Sequence, residues 1–180
     1  MNYIKQTKNW LEQFVIALNL CPFAKAPFTT DRIRYQVCET SSEKELLQVL
    51  LAECQRLRQT SPQEIETTLI IHPNVLQDFR AYLHFLDLAN ELLRMSGFEG
   101  IFQIASFHPQ YQFATTQKGD VENYTNRSPF PILHLLREDS LTTVLDVFPN
   151  PEQIPETNIQ LLKKMGIDQI QLLLEKTIVE

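Results

Sequence analysis

The feature that most limits what this chain can become is the order of its apolar patterns between Arg32 and His108, which reads strand, helix, strand, helix, strand. Arg32 to Cys38 alternates apolar Ile33, Tyr35 and Val37 with polar Arg32, Arg34 and Gln36, the period of a half-exposed edge strand. Leu46, Leu47, Leu50, Leu51, Cys54 and Leu57 recur at helical spacing, and Ser61-Pro62 breaks the chain after them. Thr67 to His72 and Ile101 to His108 are nearly continuous apolar or small runs, as in strands covered on both faces. A helix from about 75 to 95 lies between them and is closed off by Gly97 and Gly100. This alternation favours parallel strands joined by right-handed crossovers. The expected fold class is therefore α/β: a small central sheet of three or four mostly parallel strands packed with helices, plus a C-terminal helical pair, in one domain spanning 1–180.

On either side of this 31–108 core the signals are helical. Residues 1–30 read as an N-terminal helix and loop, because Ile4, Leu11, Phe14, Val15 and Leu18 share one helical face over about 3 to 19 before Pro22 stops it. Residues 109–127 contain no convincing element; a loop longer than ~12 to 15 residues is usually functional or disordered, and Tyr111, Phe113 and Tyr124 favour order. Ser128 as N-cap, with Pro129 and Pro131 in the first turn, predicts a helix running through Leu133 and Leu136 towards Leu145. Within 128–180 a final helical pair follows, one helix opened by Pro155 and closed by Gly166, the other capped by Asp168.

Composition excludes several function classes. Four Gly against ten Pro, with no glycine spaced for a dinucleotide or phosphate-cradling loop, removes the common nucleotide-binding motifs. With 16 Lys and Arg against 22 Asp and Glu, net charge −6, and no basic block, nucleic acid is not expected as a partner. Cys21, Cys38 and Cys54 form no C-x-x-C pair and suggest a reduced, cytoplasmic setting. Lys5 and Lys8 followed by an apolar stretch and Cys21 loosely imitate a lipoprotein signal, but Glu12, Gln13 and the large Leu20 argue against one. No apolar run approaches the ~18 to 20 residues of a membrane helix, so no membrane partner is expected.

If the three strands are parallel, Cys38, His72 and His108 share the C-terminal edge of the sheet, where open α/β sheets bind their ligands. His72 and His108 each precede a proline, which holds the residue extended and turns the chain away. A histidine so placed suits acid/base work, with His72 in a supporting role. Arg127, His134, Arg137 and Glu138 would lie along one side of the helix expected from Ser128 and form an anion-receptive set. The expected enzyme acts on a small anionic metabolite: His108 and His134 as acid and base, Arg127, Arg137, Glu138, Tyr111 and Asn126 binding substrate, Cys21 as auxiliary wall or ligand. Alternatives are a non-catalytic binding or protein-interaction module, and a metal site drawing on Cys21, His72, His108, His134 and Glu138, whose separations match no standard spacing. No pattern names a cofactor.

Four stretches carry a family likeness: LNLCPFA (Leu18 to Ala24), SFHPQYQFA (Ser106 to Ala114), ENYTNRSPFPILHLLRE (Glu122 to Glu138) and IPETNIQLLKKMG (Ile154 to Gly166). Together they resemble the bacterial domain-of-unknown-function 1415 family, over essentially the whole chain. The resemblance implies a small single-domain bacterial protein of this length, and it assigns no activity, cofactor or catalytic residue.

Overall fold

The computed structural model describes residues 2–178. Four strands, β1 (Ile33–Val37), β2 (Thr67–Ile71), β3 (Phe102–Phe107) and β4 (Ile132–Arg137), form one sheet in the order β1-β2-β4-β3. β1 pairs parallel with β2, whereas β4 pairs antiparallel with both β2 and β3. The three strands of the expected core therefore run in one direction, and the fourth is inserted against them between β2 and β3.

β4 corrects the expectation of a helix beginning at Ser128. Ile132-Leu133-His134-Leu135-Leu136-Arg137 is rich in helix formers, but Leu133 and Leu135 are buried on one face and Ile132 on the other, and strand neighbours on each side complete its backbone hydrogen bonding. Pro129 and Pro131 precede the strand, where a missing N–H breaks no ladder. The helical part of that expectation survives as α5 (Glu138–Val147), which follows β4 without a loop.

The helices lie on both faces of the sheet. On the first face, α3 (Glu43–Gln59) and α4 (Phe79–Met95) bury Leu46, Leu50, Tyr82 and Phe85 against Ile70, Leu133 and Leu135. Ser42 caps α3 by accepting from the Glu45 N–H at 3.4 Å, and Asp78 caps α4 by accepting from the Ala81 N–H at 2.9 Å. The second face, built on Leu69, Ile71 and Ile132, is covered by α1 (Tyr3–Trp10) and by Leu162 and Ile170 of α6 (Ile154–Met165) and α7 (Ile167–Ile178). Gly166, at φ +76, makes the sharp bend between those two helices in a region that other residues rarely adopt. A short helix α2 (Lys25–Thr29) leads into β1. The N-terminal helix is not uniform: α1 passes at Leu11 into a six-residue π-helical segment, Leu11–Ile16. That extra width keeps Trp10, Leu11, Phe14 and Val15 all turned inward.

The edge position expected for β1 is observed, and its outward charge is neutralised: Arg34 makes a two-pronged contact of 2.7 and 3.0 Å with Glu53 of α3, a carboxylate only 4% exposed. Arg137, at the end of β4, donates to the Leu57, Thr60 and Ile65 carbonyls at 2.7 to 3.3 Å, joining the end of α3 to the approach to β2. Charge-assisted bonds to carbonyls at a helix C-terminus are among the stronger ones a surface-proximal arginine can make. Arg137→Met is expected to lower unfolding free energy by roughly 2 to 3 kcal/mol, read as a fall in urea midpoint at unchanged m-value; an unchanged midpoint would refute this role.

Candidate functional site

Cys38, His72 and His108 lie at the C-terminal edge of β1, β2 and β3: the Cys38 N–H donates to Ile71 O, that of His72 to Pro131 O and that of His108 to Asn126 O. The two rings sit on the first face among aromatics of α4. Tyr82 lies 5.8 Å from His72 and 5.1 Å from His108, and Phe79 bridges His108 to Tyr111.

The ring nitrogens decide what these histidines can do. His108 Nδ1 accepts the Gln110 N–H at 3.0 Å, so its proton lies on Nε2, which donates to Leu76 O at 3.1 Å. Both nitrogens are engaged with backbone, and burial pushes the pKa down. His72 Nδ1 donates to Val75 O at 3.1 Å, and burial lowers its pKa to about 4. The two imidazoles therefore grip consecutive carbonyls of the turn from β2 into α4, where Leu76 is held at φ +60, a strained value for a bulky residue. His108 has no free nitrogen with which to act as acid or base.

The loop 109–127 is ordered by its own polar groups. Asn123, fully buried, accepts from the Phe113 N–H and the Thr116 hydroxyl and donates to Gln117 O. Arg127 donates to the carbonyls of Tyr111 (3.2 Å) and Lys118 (2.7 Å), with its guanidinium 4.2 Å from the Tyr124 ring centre. Asn126 donates to Ser106 O. Of the residues read from the sequence as substrate contacts, Asn126 thus ties the loop to β3, while Arg127 joins Tyr111 to Lys118 within the loop itself.

His134 lies elsewhere. In a strand, side chains alternate between faces, so His134 and Arg137 point to opposite sides of the sheet, and the one-sided cluster expected with Arg127 and Glu138 does not form. Glu138 instead lines an open groove of about 410 Å³ with Glu91, Glu99 and Phe102 beyond the opposite end of β3. Cys21 follows the π-helical segment and packs into the apolar cluster of the second face; burial raises its thiol pKa, against weaker help from the Phe23 and Ala24 backbone. The ligands weighed for a metal are thereby dispersed, with Cys21 and His134 on the second face, His72 and His108 at the strand ends of the first, and Glu138 at the far edge. Among the described residues, no three His, Cys, Asp or Glu side chains converge as metal ligands would.

The second face holds the more open imidazole. The Thr67 hydroxyl donates to Leu135 O, which leaves its oxygen to accept His134 Nε2–H at 2.7 Å. His134 is thereby locked in one tautomer, with Nδ1 a bare lone pair that has no hydrogen-bond partner among the described residues. Its strand neighbours are Leu69 and the small Ala105; Gln103, Ala105 and Leu136 beside it are only partly covered, and the Phe107 ring lies 6.1 Å away. Burial lowers its pKa to about 4. Sequence reading missed Thr67, because a threonine at the start of an apolar strand carries no mark of the strand that will pair beside it.

These features define a class: a helix-covered mixed sheet whose strand-end histidines brace a turn and whose antiparallel insert carries one oriented neutral imidazole. Within that class, the family model described as "Protein of unknown function (DUF1415)" matches residues 2–172, and the chain belongs to that family. Comparisons with curated proteins and with solved structures gave no match.

The depressed histidines give stability a definite pH dependence. His72 and His134 titrate near 4 when folded and near 6.5 when unfolded, so the unfolded chain binds more protons between those values and stability falls as pH drops through that window. The expected slope is about 1.4 kcal/mol per pH unit for each ring. Urea titrations at pH 6.5 and 5.0 test it, with His72→Gln expected to remove one ring's share; equal stability at both pH values would contradict the assignment.

Proposed function

We propose that this chain binds a small molecule on the partly open second face of its sheet, and that His134 Nδ1 is the group that recognises it by accepting a hydrogen bond. The observation that carries the reading is the Thr67 to His134 contact, which orients the ring and leaves one lone pair on a partly exposed imidazole. A fixed neutral imidazole with a pKa about 4 acts at neutral pH as an acceptor before it acts as a base. The strand-end edge supports binding less well, because His108, Arg127 and Asn126 have backbone partners there.

A second reading keeps acid/base catalysis. An imidazole whose far nitrogen is held by a hydroxyl has the arrangement of an oriented general base, with Thr67 as a positioning residue. In that case kcat/KM is flat at neutral pH and falls tenfold per unit below about 4, because the lone pair must be unprotonated.

Diethyl pyrocarbonate, which acylates unprotonated imidazole nitrogens, tests access to the lone pair. His84, exposed on α4, serves as the internal standard. Mass mapping is expected to find His84 and His134 modified and His72 and His108 protected; modification of His84 alone would overturn the proposal. Compounds retained from a small-molecule extract by the intact chain are expected to be lost at least tenfold with His134→Gln, the equivalent of one hydrogen bond of about 1.4 kcal/mol.

A further inference from the structure

The sheet has two edges, and they are built differently. β1 is guarded by charge: Arg34 is held on Glu53, and Lys8 Nζ stands 5.0 Å over the Tyr35 ring. β3 reads Phe-Gln-Ile-Ala-Ser-Phe, without charge, proline or glycine. Five of its six residues are partly exposed, whereas every residue of the central β2 is buried. Proteins normally blunt an edge strand with charge, proline or a covering element, because its free N–H and C=O groups invite another strand.

The ladder fixes which backbone groups look outward. The Glu138 N–H donates to Ile101 O, so Ile101, Gln103, Ala105 and Phe107 exchange hydrogen bonds with β4, and Phe102, Ile104 and Ser106 turn theirs away from it. The two ends of this outer row are closed within the chain. The Phe102 N–H donates to Phe98 O at 3.0 Å, and Ser106 O accepts from Asn126 Nδ2 at 3.1 Å. Between them, Phe102 O, the Ile104 N–H, Ile104 O and the Ser106 N–H have no hydrogen-bond partner among the described residues. An open groove of about 410 Å³, bordered by Phe102 and Gln103, leaves space at the start of this edge.

These four groups are their own complement. Turned about a two-fold axis at Ile104, a second β3 runs antiparallel to the first; the two Ile104 residues exchange both bonds, and each Ser106 N–H meets the other copy's Phe102 O. Every free group of the row is then used. The strand brings no like charges face to face, since it has none, and the antiparallel direction holds the two acidic grooves, with Glu91, Glu99 and Glu138, at opposite ends of the joint. We infer that β3 is a homodimer interface, at which a second copy of this chain pairs antiparallel along residues 102–106 and joins the two sheets into one.

Sedimentation equilibrium of the intact chain from about 1 μM to about 1 mM spans the affinity of a short joint of this kind. The expected result is a passage from 21.0 kDa to twice that mass as concentration rises, with amide hydrogen exchange at Ile104 and Ser106 slowing at least tenfold over the same range. Gln103→Lys sets two lysines diagonally across the axis, and Ser106→Pro removes a donor that has no partner within the chain. Each is expected to weaken dimerisation at least tenfold. A monomer over the whole range overturns the inference and leaves the edge to a strand of another protein. A dimer in which the Ile104 and Ser106 amides exchange as fast as in the monomer, or one equally strong in both variants, overturns it as well, by placing the interface elsewhere. The exchange measurement needs no variant and decides the case where either variant fails to fold.

Discussion

The structure depends on the antiparallel ladder that β4 makes with β2 on one side and β3 on the other. The crossover from β2 through α4 to β3 skips one strand position, and Ile132–Arg137 fills it. That strand contributes to both apolar layers at once: Leu133 and Leu135 go to the α3 and α4 side, and Ile132 to the α1 and α6 side, all fully buried. It also closes the backbone hydrogen bonding of the sheet's centre, where an unpaired edge could not be tolerated between two helical layers. Tyr82 adds its hydroxyl to the Ile132 carbonyl at 2.7 Å, so α4 is pinned to the inserted strand as well as to its own core.

Each histidine's behaviour follows from where this ladder leaves its nitrogens. His72 and His108 end strands on either side of β4, and their rings donate to Val75 and Leu76, fixing the turn that launches α4. His134, inside the inserted strand, meets Thr67 and keeps one nitrogen without a partner among the described residues. Burial holds all three in the neutral form, so this protein uses imidazole as a directional hydrogen-bonding group. Its arginines follow the same economy: Arg127 and Arg137 end on backbone carbonyls, one ordering the loop after β3 and the other closing the sheet against α3.

Much of the fold was legible because the signals were local. The alternation of Ile33, Tyr35 and Val37, the stripe from Leu46 to Leu57, the continuous run from Thr67 and the Pro155 and Gly166 boundaries each state a period or a stop that the backbone obeys. The stretch from Ser128 was misread because leucine serves a helix and a central strand equally well, and prolines precede both. Local pattern cannot say whether a slot is waiting elsewhere in the sheet. The π-helical turn at Leu11 is likewise invisible in an apolar spacing that fits a plain helix.

For the site, the sequence by itself determined the inventory: four histidines, one tryptophan, no glycine-rich phosphate loop, and prolines fixing the turns after His72 and His108. Only the tertiary structure decided which of those groups has a free atom. The pairing of β2 with β4 brought His134 to Thr67, and the packing of α1 on Phe107 left the Trp10 N–H and the Gln6 oxygen buried without a partner among the described residues. The physical reason is that a residue's chemistry is set by its hydrogen-bond partners and its burial, and in this chain those partners come from strands and helices distant in sequence.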